Sequence, residues 1–213
     1  MNAQTAARPT SAPQTPSLPQ AKPETIGLSG VRLQRMSDAF KREVDKGTLP
    51  GATVMVARRG QIGWFDAVGR QGPAAATPMA HDSIFRIFSM TKPIVSVGIM
   101  MLAEDGHFIL NDPVAKFIPE FADQKVGVEN NGKLDLVPVK RQMTIQDLLR
   151  HTSGLTYGFQ QRSNVDAAYR ENKIGEVIKA GTLQTMIDDL AKIPLEFSPG
   201  EAWNYSAATA VVA

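Results

Sequence analysis

Ser89-Met90-Thr91-Lys92 sets a hydroxyl and an amine three residues apart in a chain that contains no cysteine. On a helix this spacing places both side chains on one face, one turn apart. A serine hydroxyl is a weak nucleophile until a neighbouring base or cation activates it, and lysine supplies either. The apolar run Ile84-Phe85-Arg86-Ile87-Phe88 reads as strand, and Pro93 to Leu102 is apolar almost all round, the pattern of a helix buried at the centre of a domain. Ser89 would then open that helix, where unpaired N–H groups and the positive dipole end favour a developing oxyanion. Pro93 fits this register, because a proline costs nothing within the first turn. An apolar helix behind Lys92 predicts a depressed pKa and a neutral amine able to take the serine proton. Alternatively the lysine stays charged and lowers the pKa of a nearby tyrosine, whose phenolate becomes the base. The spacing alone is not rare, since chance supplies roughly half an SxxK in a chain of this composition. An N-capping serine followed by a surface lysine is the structural alternative.

Other chemistries lack candidates. There is no GxSxG elbow, no HExxH, no GxxxxGK[ST] and no GxGxxG. His81, His107 and His151 are scattered without metal-ligand spacing, and without cysteine there is no thiolate zinc site and no disulfide framework. No metal or cofactor is implied. With 23 Lys+Arg against 21 Asp+Glu, a net +2, the chain has no clustered basic face for nucleic acid. No apolar run is long enough to span a bilayer, and the N-terminus lacks a charged region followed by an apolar one. A soluble, cytoplasmic protein without a membrane partner is therefore expected.

The elements that must position Ser89 and Lys92 begin after a proline-rich stretch. Pro9, Pro13, Pro16, Pro19 and Pro23, interleaved with Ala, Gln, Ser and Thr, predict a flexible arm over residues 1–27. Ser29 then caps an amphipathic helix carrying Val31, Leu33, Met36, Phe40 and Val44. Ala52–Ala57 and Gln61–Val68 read as an antiparallel hairpin, its first strand apolar enough for burial on both faces. Leu110 to Phe121 reads as a turn and a short helix with Pro113 in the first turn. Val126–Val139 contains one possible hairpin. Thr144 caps a short helix, Ile145–Arg150, which runs into the turn His151-Thr152-Ser153-Gly154. Helices over Val165–Lys179 and Leu183–Lys192 follow. Tyr157 and Phe159 read either as the lining of an acyl pocket or as exposed loop aromatics without a role, whereas Phe197 and Trp203 suit a core.

Four ordered motifs then carry a resemblance. Phe88-Ser89-Met90-Thr91-Lys92-Pro93, Leu110-Asn111-Asp112-Pro113-Val114, Met143 to Leu155 through His151-Thr152-Ser153-Gly154, and Pro199-Gly200 through Trp203 to Tyr205-Ser206 follow in sequence. Together they resemble the serine β-lactamase-like hydrolases: class C β-lactamases, D-Ala-D-Ala peptidases and family VIII carboxylesterases. The resemblance implies an α+β fold, an antiparallel sheet flanked by helices plus a mainly helical region. It makes Ser89 the acylated nucleophile, Lys92 its proton-accepting or field-setting partner and Tyr205 the catalytic tyrosine. In β-lactamases and peptidases that tyrosine is followed two residues later by asparagine. Here the position is Ala207, which cannot hydrogen-bond an acylamino substrate. The departure is similar to the family VIII esterases and implies a small-molecule ester substrate, with a β-lactamase or D-amino acid peptidase as the alternative enzyme and a non-catalytic binding protein on the same scaffold as the alternative of another kind.

The family's third motif, a Lys/His/Trp-x-Gly strand, does not follow Tyr205. The resemblance therefore implies that residues 28–213 are the N-terminal portion of the catalytic domain, its remainder supplied by a missing C-terminal part. A hairpin without sheet neighbours leaves an open edge. A closed sheet within this chain would contradict that expectation.

Overall fold

The computed structural model describes residues 18–174 and 181–213. They fall into two compact units, one running to Arg86 and one from Ile87.

In the first unit, Ser29 caps helix α1 (Gly30–Asp45), its hydroxyl accepting from the Arg32 N–H. The buried Ser37 hydroxyl on α1 accepts from the Trp64 indole N–H at 2.8 Å. Trp64 belongs to the hairpin of β1 (Gly51–Arg58) and β2 (Gln61–Gly69), so α1 lies on that sheet. Arg59 and Gly60, both at positive φ, turn the chain in two residues, as the right-handed strand twist requires. Two expectations fail here. First, β1 is not buried on both faces: Met55 is 49 % exposed. Second, the expected arm over 1–27 is docked in its last part. The Ala21 N–H donates to the Ile62 carbonyl, the Ile62 N–H donates to Pro19, and Ile26 is buried. Residues 1–17 of it lie outside the described residues. The expected strand at Ile84–Phe88 is also absent, and Ile84 is almost fully exposed.

The second unit holds helix α2 (Thr91–Glu104), a hairpin of β3 (Lys125–Asn130) and β4 (Lys133–Pro138), and helices α3 (Ile145–Arg150), α4 (Asn164–Glu171), α5 (Leu183–Ala191) and α6 (Ala208–Val212). Its core gathers Leu148, Leu155, Val165, Tyr169, Leu190 and Leu195, all essentially inaccessible to water. The expected helix near Pro113 is instead two 3₁₀ turns, Val114–Lys116 and Pro119–Phe121. Pro113 sits extended ahead of the first, bridged to Thr144 rather than inside a helical turn. Helix α4 stops at Glu171, short of the expected Lys179; residues 175–180 lie outside the described residues.

The largest correction concerns α2. It is not a buried central helix: it has no buried residue, and Ile94 and Val97 are 64 % and 60 % exposed. An all-round apolar surface shows that exposing a helix to water is unfavourable, not that a neighbour covers it. Among the described residues the two sheets stay separate, each of two strands, and neither closes.

Helix α3, which leads into the His151 turn, is fixed by charge as well as by its cap. Thr144 and Asp147 form a reciprocal capping box, and both Asp147 oxygens accept from the Arg141 guanidinium at 2.6 and 2.8 Å. Burial alone would raise the Asp147 pKa. The bonds from Arg141, Thr144 and Thr152 outweigh it and hold the carboxyl at about 2 against an ordinary 3.8. A carboxyl depressed by folding contributes stability that is complete above its unfolded pKa and is lost as pH falls from about 4 through about 2. The shift corresponds to roughly 2 kcal/mol. Asp147→Asn should therefore lower stability by about 2 kcal/mol at neutral pH. Urea unfolding of variant and parent should show that gap narrowing as pH falls toward 2, and a pH-independent gap would contradict the charge-based account.

Candidate active site

Ser89, Lys92, His151, Tyr157 and Tyr205 all belong to the second unit. Ser89 lies in a 3₁₀ turn, Phe88–Met90, that runs directly into α2; Phe88 takes φ 46° and aims the turn. Lys92 is the second residue of α2, so its side chain returns over the turn that carries Ser89. Its Nζ is 3.3 Å from Ser89 Oγ. The same ammonium donates to the Tyr157 hydroxyl at 3.2 Å and lies 4.7 Å from the Tyr205 ring centre. The hydroxyls of Tyr205 and Ser89 are 2.5 Å apart, at the short end for O–H···O bonds. The structure thus brings Ser89, Lys92 and Tyr205 together, from positions up to 116 residues apart.

The electrostatics differ from the sequence expectation for Lys92. Burial does work against its ammonium, but hydrogen bonds to Tyr205 and Tyr157 outweigh burial and raise the pKa above the ordinary lysine value. The apolar face of α2 is open to solvent, so the desolvation expected behind the lysine is incomplete. Tyr205 moves the opposite way. Its bond with Lys92, then its bond with Ser89, hold the phenol below the ordinary tyrosine value. Of the two alternatives, a charged lysine that sensitises a tyrosine is the one this geometry favours.

His151 ends α3 in the left-handed conformation, its N–H bonded back to the carbonyls of Asp147 and Leu148. Its ring lies 4.9 Å from the Tyr205 ring, and Nδ1 is 3.3 Å from Ser206 Oγ. Burial and the Lys92 charge lower its pKa, which favours a neutral imidazole beside the ammonium. Gly154, at φ +86°, is required for close approach: a Cβ there would lie 2.3 Å from the Phe197 carbonyl. Ala207 is buried and brings no polar side-chain atom to the site. Trp203, expected in the core, is instead 67 % exposed and meets His151 edge-on. Phe197 is half-buried, and His81 stacks on Phe65 in the first unit. Among the described residues no group of His, Asp and Glu could hold a metal ion, and no helix is long and apolar enough to cross a membrane.

Tyr157 makes a contact that the sequence reading does not give: its hydroxyl accepts from Lys92, and its ring stacks on Phe159 at 4.9 Å. The available signal was its place three residues beyond the Gly154 turn, in the loop that also carries His151.

Comparison with known proteins sets this geometry in a family. A family model described as Beta-lactamase matches residues 36–213. The chain is 36 % identical over 178 residues to Protein Rv1367c of Mycobacterium tuberculosis, covering 83 % of this chain and 43 % of that protein. It is 34 % identical over 193 residues to Esterase EstB of Burkholderia gladioli, covering 89 % and 46 %. Among solved structures, EstCE1, described as a hydrolase with promiscuous acyltransferase activity, superposes with a TM-score of 0.70 at 26 % identity, covering 84 % of this chain and 45 % of that one. The chain therefore spans less than half the length of each of these relatives. Its two small antiparallel sheets and its helices are a part of the α+β fold those relatives share. With the family model covering most of its length, the chain belongs to the Beta-lactamase family.

Proposed function

We propose that the protein is a serine hydrolase that cleaves carboxylic esters of small molecules through an acyl-enzyme on Ser89. The observation that carries this reading is the 2.5 Å approach of the Tyr205 and Ser89 hydroxyls beside the Lys92 ammonium. In the reaction proposed, the Tyr205 phenolate accepts the Ser89 proton as Oγ attacks the ester carbonyl. The Ser89 N–H, in the turn that leads into α2, faces the oxyanion. Tyr205 then returns the proton to the leaving alkoxide, and the ester C–O bond breaks to leave Ser89 acylated. The same phenolate takes a proton from water as it attacks the acyl carbon, and Tyr205 returns that proton to Ser89 Oγ as the acyl C–O bond breaks, releasing the carboxylic acid and the free hydroxyl. Lys92 remains an ammonium throughout and offsets the charge on Tyr205. No step calls on a metal or cofactor.

An ester is favoured over a β-lactam or a peptide because Ala207 presents no amide to an acylamino side chain. The likeness to Esterase EstB supports the same choice. The test is a paired assay with p-nitrophenyl butyrate and a chromogenic cephalosporin. Turnover of the ester with a kcat/KM at least about a hundredfold above that of the cephalosporin is expected; the reverse order would overturn the ester assignment.

A further inference from the structure

Tyr205 differs from Ser89 and Lys92 in what holds it. Residues 202–205 belong to no helix and no strand, so neither a helical turn nor a ladder sets where the phenol lies. Side chains do so instead. On one side, Gln160 Nε2 donates to the Tyr205 carbonyl at 2.6 Å, and Gln160 Oε1 accepts from the Thr156 hydroxyl. On the other, Asn204 is buried, and its amide donates to Glu196 Oε2 at 2.7 Å and to the Leu155 carbonyl at 3.1 Å. Asn204 Oδ1 accepts from Arg162, which also pairs with Glu196 at 3.1 Å. Glu196 Oε1 accepts from the Ser163 hydroxyl at 2.6 Å. The backbone adds one bond on each flank, Asn204 N–H to the His151 carbonyl and Ala207 N–H to Thr156.

We propose that Gln160 and the Arg162–Glu196–Asn204 cluster are positioning residues that hold the Tyr205 hydroxyl against Ser89 and Lys92. The Gln160 bond reaches Tyr205 itself, and the bonds to Glu196, Leu155, Arg162 and the His151 carbonyl reach the residue before it; Thr156 and Ser163 in turn brace Gln160 and Glu196. A displacement of about 1 Å at a reacting group can cost a hundredfold in rate. The groups facing the phenol are Lys92 and Ser89 from α2 and its leading turn, and Tyr157 and His151 from the loop after α3. Loosening the 202–205 segment withdraws the phenol from the ammonium that sensitises it.

The inference rests on the reading of Tyr205 as base, and the experiment separates the two. Tyrosinate formation is followed by ultraviolet difference titration of the full chain, with Tyr205→Phe subtracted to isolate Tyr205 from Tyr157 and from Tyr169, whose phenol burial pushes far up. The rate of Ser89 labelling by a fluorophosphonate is measured alongside. In Gln160→Met and Asn204→Ala the Tyr205 transition should move up toward its ordinary value and labelling should slow by about tenfold or more. Glu196→Gln, which keeps an acceptor for the Asn204 amide, should lie close to the parent, and Glu196→Ala should follow Asn204→Ala. If Asn204→Ala does not fold, the half-buried Gln160→Met decides. A folded Gln160→Met with the parent's titration and labelling rate overturns the proposal. Failure of the parent itself to label overturns the hydrolase reading, while the titration still decides the positioning role.

Discussion

Ser89→Ala removes ester hydrolysis by about a thousandfold or more, leaving only what binding and the oxyanion site give without a nucleophile. The expectation follows from how much of the proposed route passes through one oxygen. Ser89 Oγ lies within bonding reach of both Lys92 Nζ and Tyr205 Oη, and the turn that carries it is exposed, so an ester meets it without a rearrangement of the core. The alanine variant should fold as the parent does, because Ser89 is exposed and caps no helix. Mass spectrometry after fluorophosphonate treatment supplies the matching positive result, a single adduct on the peptide that contains Ser89. Undiminished hydrolysis in the alanine variant would remove Ser89 from the mechanism, and the protein would then have to be read as a binding module.

The second large effect belongs to the base. Tyr205→Phe keeps the ring against His151 and Tyr157 but deletes the hydroxyl, and kcat should fall by about 10² to 10⁴ with little change in KM. The direction of the pH dependence comes from the two opposed shifts. Tyr205 is lowered and Lys92 is raised, so there is a pH range in which the phenolate and the ammonium coexist. Activity should rise with pH as Tyr205 loses its proton, along a limb that lies below the ordinary tyrosine value of 10.0. Lys92→Met removes the charge that sensitises the phenol, and the same limb should then move to higher pH. A neutral lysine acting as base predicts something different: Tyr205→Phe would retain most of the activity, and Lys92→Met would abolish it at every pH. The pH–rate profiles of kcat/KM for the two variants distinguish these mechanisms.

What could be read from the residues was local. Ser29 as the cap of α1, Thr144 as the cap of α3 and both hairpins announce themselves through short-range rules of capping and turn geometry, and the structure shows each of them. The pairing of Ser89 with Lys92 is of the same kind, a matter of helical spacing. Failures arose where an outcome depended on distant partners. The apolar surface of α2 and the apolar content of β1 state a preference for burial, and neither says what lies opposite. The sequence leaves a neutral and a charged Lys92 both open for a related reason: spacing shows the helix behind it but not the two phenolic oxygens in front. Tyr205 was reached through a motif likeness, since no pattern in an irregular segment points back to a serine so far away. Gln160, Glu196 and Asn204 carried no local signal at all, being polar residues whose partners are fixed only once the second unit has closed.

That spread of partners orders the assembly of the site in time. Lys92 is three residues from Ser89 and meets it as soon as one helical turn forms, which is a submicrosecond event. Tyr157 reaches Lys92 across 65 residues, and Tyr205 reaches Ser89 across 116. Contacts of such separation form only after the intervening loops have been closed, and they are slow for that reason. During folding the nucleophile and its cation therefore exist before the phenol arrives. An unfinished chain carries the serine and its cation without the phenol, and the approach of Tyr205 to Ser89 comes with the closure of the core around Leu155 and Leu195, among the last contacts to form.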